Sequence, residues 1–545
     1  MTMRNKKWLA LSGVALLATA ACGGGEESSS SSSDGSSSGD AKKEITLVSA
    51  TDLPQLDPTL TTDSTSIIVT NNVFEGLYRL DENNQPVPGI AEDVEISEDG
   101  LTYTFKLRDA NWSDGSPVTA EDFVYSWKRA LNPETGAEYA YILQDLKNAN
   151  KILAGEEELD ALGAKAVDEK TLEVQLEAPA PYFLGLTGFP TYMPQKQEFV
   201  EEQGESFASA VDKTLYNGPY VLDSWQDNEG WVYKKNPDYW DAENVKMETI
   251  NVKVVKEVAT GVNLFESGEV DYTLLSSEFV PQFQDSEEFK TRADARINFL
   301  RFNQKNEALQ NVNIREALAK GFDKQGVTDV ILTDGSQPAN YIVAKDFTFT
   351  EDGADFREKY PDLQSYNVDE AKAAWDKGLA ELGVETIELE FLSRDEEAFK
   401  KVNEYIKGEL EKNLPGLTLN IKQQPFKNFL DLEGKGEYDV SAAGWGPDYQ
   451  DPMTYLDMWV TDGPFNRMAY SNDEYDKLIQ SAKQEADQMK RWETMQEAER
   501  ILLEDDFAIA PIYQKGEAYL ERSNIQNMHR HPFGADASFK WLDVN

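Results

Sequence analysis

The sequence predicts an α/β protein, and three observations carry that expectation. Between residues 367 and 443, strand-like and helix-like segments alternate, the pattern of an α/β lobe with a mixed or mainly parallel sheet. Earlier in the chain, residues 45–49 read as a strand, 102–107 alternate as a half-buried strand, and Leu172, Val174 and Leu176 alternate in another. Roughly 500 residues then follow a Gly/Ser-rich stretch, too many for one core, so two or three domains or lobes are expected. With 11 Trp, 23 Tyr and 25 Phe, this length folds into packed globular bodies and does not stay disordered.

Taken in order, the strand at 45–49 leads into a long polar loop at 51–66. Asp114-Gly115 and Ser116-Pro117 mark a turn. Thr119 reads as a helix N-cap with Asp122 three residues on, and Phe123, Trp127 and Leu131 line one face of that helix. In the second half, Asn367 opens a helix reaching about Leu382, and Ile387, Leu389 and Phe391 mark a strand. A helix follows at about 396–414, then a strand through Leu417, Leu419 and Ile421, a short helix at about 426–432, and a last strand at 438–443. Ligands of α/β lobes meet the loops just past the carboxyl ends of strands. The loop in that position is 444–452, Gly-Trp-Gly-Pro-Asp-Tyr-Gln-Asp-Pro.

The chain begins with Arg4, Lys6 and Lys7, continues almost without polar side chains from Trp8 to Ala21, and closes on small residues before Cys22. That is the layout of an export leader at 1–21, and its apolar run is short of the roughly 20 residues of a membrane span. Cys22 is the sole cysteine. The small-small-Cys ending resembles a bacterial lipoprotein box, with Thr19 where that box usually carries Leu, and implies lipidation of Cys22. The alternative is an ordinary secretory signal beside a chance cysteine. Residues 22–43 read as a flexible linker, and its Gly, Ser and acid stretch from Gly23 to Asp40 has a reach of roughly 23 Å at about 5–6 Å times the square root of length.

The formal charge of −47 repels nucleic acid and anionic lipid heads, so no nucleic-acid partner is expected. Catalytic material is scarce. The two histidines are His529 and His531, read as a solvated tail; no phosphate loop, dinucleotide fingerprint or zinc spacing occurs. No enzyme activity, cofactor or metal is expected. Any one carboxylate pair among 99 acids carries no signal.

The loop at 444–452 stands apart. Gly444 and Gly446 let the backbone come close to a ligand, Trp445 and Tyr449 add flat walls, and Asp448 offers one carboxylate to a cation. Backbone edges, flat walls and a single acid suit an extended peptide with a free amino terminus. A glycine turn whose aromatics fill the core and whose acid sits in water fits the same residues.

At this loop the chain resembles the extracellular solute-binding proteins of family five, in particular the oligopeptide-binding proteins of ABC importers. Six further motifs resemble that family's in order: Phe74-Glu75-Gly76-Leu77, Trp112-Ser113-Asp114-Gly115, 122–127, Asn217-Gly218-Pro219-Tyr220, 236–240 and 314–318. The resemblance implies a two-lobed clamp of the periplasmic-binding-protein type II (cluster C), with an extra domain inserted in the first lobe. The first lobe would take 44–74, 197–297 and 516–545, the insert 75–196, and the second lobe 298–515. It implies that Asp448 pairs with a peptide α-ammonium. Main-chain groups of Gly444, Gly446 and the segment near Thr62 and Ser64 would pair with peptide backbone; Tyr139 and Phe426 would line the pocket. Asn217-Gly218-Pro219 and 236–240 read as structural turns and packing. Where some members carry basic residues for the peptide's C-terminal carboxylate, this chain has Glu433, Gly434 and Ala442, so longer peptides with a loosely held C-terminus are expected. The implied partners are an oligopeptide, the subunits of an ABC permease and a membrane through the lipid alone, with the protein a monomer. A receptor for one peptide pheromone and a binder of a non-peptide solute use the same clamp and stay open.

Overall fold

In a computed structural model, residues 43–350, 353–463, 465–485 and 487–545 are described. The leader at 1–21, Cys22 and the linker to residue 42 lie outside them.

Three main sheets organise the described chain. The first has the order Glu44–Ser49, Thr249–Val254, Gly230–Lys235, Tyr220–Gln226, parallel in its first pair and antiparallel in the others. The second is antiparallel, Ala91–Ile96, Thr102–Leu107, Thr171–Gln175, Ala164–Asp168. The helix Ala120–Leu131 packs against it, starting at a capping box in which Asp122 accepts the Thr119 N–H at 2.9 Å. Phe123, Trp127 and Leu131 are fully buried on its inner face.

The third sheet has the order Tyr272–Leu275, Ile509–Glu521, Phe289–Phe302, Val440–Trp445, Ile387–Arg394, Leu417–Gln424, with Gln337–Pro338 paired to Ile509–Glu521. It is mixed: the last three strands are mutually parallel and the others antiparallel. The crossover helices Val368–Leu382 and Glu397–Asn413 begin and end close to the expected positions, the first capped by Asn367 and closed by Gly383 at φ 70°. Leu300, Phe302, Trp375, Leu389, Phe391, Ile406 and Leu419 fill the core between sheet and helices.

Two strands cross the molecule. Phe289–Phe302 and Ile509–Glu521 run 14 and 13 residues, and their register shifts between Ala293 and Ile297 and again at Asn298/Phe299. Such bulges re-aim side chains and accommodate Pro511 inside the strand. Gln514 stitches the first bulge, donating to the Asp294 and Lys345 carbonyls and accepting from Tyr341 Oη and the Lys345 N–H.

Three sequence readings need correction. The polar loop at 51–66 ends early: Asp63 caps a helix, Ser64–Val73, by accepting from the Ser66 N–H at 2.9 Å. Leu53, Leu56, Asp57, Thr59 and Thr61 within it are buried, because Arg129 and Gln195 hold Asp57. The strand expected at 438–443 is Val440–Trp445, since Gly444 and Trp445 continue the ladder opposite Asn298 and Ile297. The C-terminal histidines are not a solvated tail: His531 is 2 % exposed, with its ring nitrogens 2.8 Å from Asn84 Oδ1 and 2.9 Å from Ser538 Oγ. Burial and the nearby cations Arg79 and His529 hold its pKa down at about 3.

Lys324 is 2 % exposed, and its Nζ donates to the Gln364 carbonyl at 2.6 Å. Burial pushes its pKa down to about 7, against a partial counter-pull from Asp362. The unfolded chain therefore holds this proton to higher pH than the folded one. The resulting penalty is complete below about pH 7 and fades as pH rises towards 10.4, the ordinary lysine value. Lys324→Met removes the charge but strands one carbonyl acceptor. It should stabilise the protein by about 1–3 kcal/mol at pH 6 and lose that advantage by pH 10, read by urea denaturation at both values.

Candidate functional site

The strand Val440–Trp445 ends beside Phe289–Phe302, and the loop that follows carries Asp448 into the interior. The glycines serve that approach. A Cβ on Gly444 would lie 2.7 Å from Asn298 Oδ1, and one on Gly446 3.0 Å from Arg296 Nη2. At 444 the absence of a side chain gives Asn298 its place against the strand, and at 446 it leaves room for the Arg296 guanidinium, a close-approach role that requires no left-handed backbone.

Asp448 is 8 % exposed, and its own N–H donates to Thr454 Oγ1 at 3.0 Å. Its carboxylate accepts from two phenols, Tyr139 Oη at 3.1 Å and Tyr141 Oη at 2.9 Å. Both tyrosines sit on the 3-10 helix Glu138–Leu143, which turns the i and i+2 rings into a stack with centroids 5.6 Å apart. Phe189 packs on Tyr139, and Phe465 meets both Tyr141 and Trp445 edge-on at 5.1 and 4.9 Å. The Trp445 indole N–H is buried with no acceptor.

The acid at the centre has no cation within ion-pair distance among the described residues. Burial pushes its pKa up to about 7, although Tyr141, Tyr139 and the more distant Arg296 pull it down. The same burial, together with the Asp448 charge, holds both tyrosine hydroxyls protonated, well above their ordinary value. Arg296 reaches the other way: its Nη2 donates to Ser64 Oγ at 3.3 Å. A second polar group lies alongside. Asp145 is pushed up to about 6 and Asp457 also upward, both by burial, while Lys483 lies 3.6 Å from Asp457 and Gln144 bridges the two.

Of the residues singled out from sequence, Asp448, Tyr139, Trp445 and Gly446 gather in one place, and Ser64 joins through Arg296. Gly444 lies one strand pair back, and Thr62 is exposed beyond the helix start. Tyr449 is 6 % exposed and stacks on Tyr182 at 4.6 Å, filling the core behind the loop. Phe426 stands apart with Arg394 over its ring at 4.3 Å. Sequence reading missed Tyr141, Phe465 and Arg296. The Tyr-Ala-Tyr spacing was a usable signal for the first; the other two had none.

Comparison with known proteins bears on this arrangement. The family model described as bacterial extracellular solute-binding proteins, family 5, middle, matches residues 85–467. The dipeptide-binding protein DppE of Bacillus subtilis is 33 % identical over 493 residues, covering 90 % of each chain. The structure of Listeria monocytogenes OppA bound to peptide superposes with a TM-score of 0.86 at 43 % identity, covering 92 % of this chain and 99 % of that one. The substrate-binding domain of an oligopeptide ABC transporter from Bacillus anthracis superposes with a TM-score of 0.87 at 44 % identity, covering 93 % and 99 %.

Both phenols favour the ionised form of Asp448 by donating to it, so their removal should favour the neutral acid. The double substitution Tyr139→Phe/Tyr141→Phe should move the Asp448 pKa above about 7, followed by carboxyl-carbon NMR of the labelled protein.

Proposed function

Because the chain belongs to the bacterial extracellular solute-binding proteins of family 5, we propose that it captures oligopeptides between two lobes and hands them to an ABC permease. The observation that carries this reading is Asp448. A buried carboxylate satisfied by two neutral hydroxyls still lacks a positive charge, and a peptide α-ammonium supplies one with three donors. The unpaired indole N–H of Trp445 adds a donor for a peptide carbonyl beside it. Affinity drawn from main chain and terminus tolerates many side-chain sequences.

The first lobe is read as 44–74, 197–297 and 516–545, the inserted domain as 75–196, and the second lobe as 298–515. The register shifts in Phe289–Phe302 fall where the first and second lobes meet, which supports a hinge there. On this division Tyr139 and Tyr141 belong to the insert and Asp448 to the second lobe, so the carboxylate that takes the ammonium also latches the lobes. Delivery to a permease is served by lipidation of Cys22, with 22–43 as the leash.

Asp448→Asn should weaken peptides with a free amine about 10–100-fold, the loss of one charge-assisted bond, and spare acetylated ones. Equal loss for both in calorimetry would refute the role.

The pH dependence follows from the same group. Binding an ammonium needs Asp448 ionised and the amine protonated. With the acid at about 7 and a free α-amine at about 7.7–8.0, affinity should peak between them. On the acid side it should fall towards tenfold per pH unit with a proton released on binding, and Asp448→Asn should flatten that limb.

Cys22→Ser should release the protein into the medium from a Gram-positive host, assayed by immunoblot of cells and supernatant. Full retention on the cells would overturn the anchor.

A further inference from the structure

The two elements that build the Asp448 site meet a second time. The 3-10 helix Glu138–Leu143, which supplies Tyr139 and Tyr141, closes at Gln144 and runs directly into Asp145. Opposite it, the loop at 444–452 leads through the short helix Met453–Leu456 into Asp457. Gln144 Nε2 donates to Asp457 Oδ2 at 3.3 Å. Lys483, in the last turn of the helix Asp473–Gln484, donates to Gln144 Oε1 at 3.2 Å and lies 3.6 Å from Asp457. On the division above, Gln144 and Asp145 belong to the insert, and Asp457 and Lys483 to the second lobe.

Charge at this contact does not balance. Among the described residues, Lys483 is the one cation within ion-pair distance of either acid. Arg491, the next cation, is committed to Asp451 at 2.5 and 2.7 Å. The Asp145 carboxylate accepts a long bond from Tyr182 Oη, at 3.4 Å, and feels the charge of Asp457. From the second lobe, Asp448 and Asp451 add further negative charge around Asp457. The phenols that face the two acids are Tyr103, Tyr141, Tyr182, Tyr192, Tyr449 and Tyr475. Burial holds all six protonated, so none of them supplies a positive charge.

Burying two carboxylates against one ammonium disfavours their ionised forms, which is why Asp145 stands at about 6 and Asp457 is also raised. Parting the lobes returns water to the contact, and an exposed aspartate reverts towards about 3.9. Closure onto ionised Asp145 is therefore opposed. That opposition is complete above about pH 6 and fades as pH falls towards about 4.

Resting on the peptide-binding reading and its division into lobes, we propose that Lys483 and Asp145 are positioning residues that set how firmly the insert and the second lobe close on a peptide. Lys483 holds the contact shut through Asp457 and Gln144. Asp145 pushes against it when ionised and keeps the grip releasable. Both act at one remove from the peptide amine, through the turn that carries Tyr139 and Tyr141.

Calorimetry with pentaalanine and its N-acetylated twin tests this between pH 5 and pH 8, on the wild type, Asp145→Asn, Lys483→Met and the double variant. Taking each variant against the wild type at the same pH cancels the titration of Asp448. Asp145→Asn should bind both peptides about tenfold more tightly at pH 8, an advantage falling to about threefold at pH 5. Lys483→Met should weaken both about three- to tenfold at pH 8, where two buried acids are left without a cation. In the double variant the gain from Asp145→Asn should exceed its gain in the wild type, because no ammonium then shares the charge. An Asp145→Asn affinity at or below that of the wild type at pH 8, or a gain that stays flat down to pH 5, overturns the proposal while peptide binding stands. Asp145→Asn keeps an acceptor for Tyr182 and decides alone should Lys483→Met fail to fold. Failure of both peptides to bind the wild type overturns the underlying reading instead.

Discussion

A carboxylate buried without a counter-ion is among the most costly arrangements a protein can hold, and Asp448 is held that way by two phenolic hydroxyls. Much of the nearby architecture is explained by that cost. Tyr139 and Tyr141 must stack so that both hydroxyls reach one side chain, and Phe189 and Phe465 hold the stack. Thr454 fixes the loop from below, so the acid is aimed before any cation arrives. Two donors satisfy hydrogen bonding and leave charge uncompensated, which is the state a cationic ligand completes.

Other buried acids nearby show the contrast. Asp451 is gripped by Arg491 at 2.5 and 2.7 Å, and Glu499 by Arg357 as well as the Ile342 and Val343 amides. Those charges are closed pairs that fix one element against another. Asp448 is an open one, in the loop past the carboxyl end of Val440–Trp445. The glycines at 444 and 446 give Asn298 and Arg296 room against the loop.

Secondary structure in the α/β part was legible because it is local. Asn367 caps its helix through its own side chain, and the apolar periods at 387–391 and 417–421 match buried faces. The errors share one cause. Asp57, Thr59 and Thr61 are polar yet buried because Arg129 and Gln195 satisfy Asp57 from 72 and 138 residues away. His531 is buried because Asn84, 447 residues earlier, meets its ring. Polar composition predicts exposure only when the partners are near in sequence. Phe426 and Tyr449 were singled out as ligand-binding aromatics, and in the fold their ring neighbours are Arg394 and Tyr182.

By itself the sequence determined the alternation of strands and helices, the caps that start them, and an acid two residues after a Gly-Trp-Gly run in the loop that follows a strand. These depend on side-chain period and on bonds a few residues long. Tertiary structure alone decided which of 99 acids becomes chemically distinct. That distinction requires removing water and bringing a hydroxyl from 309 residues away, and no local pattern encodes either.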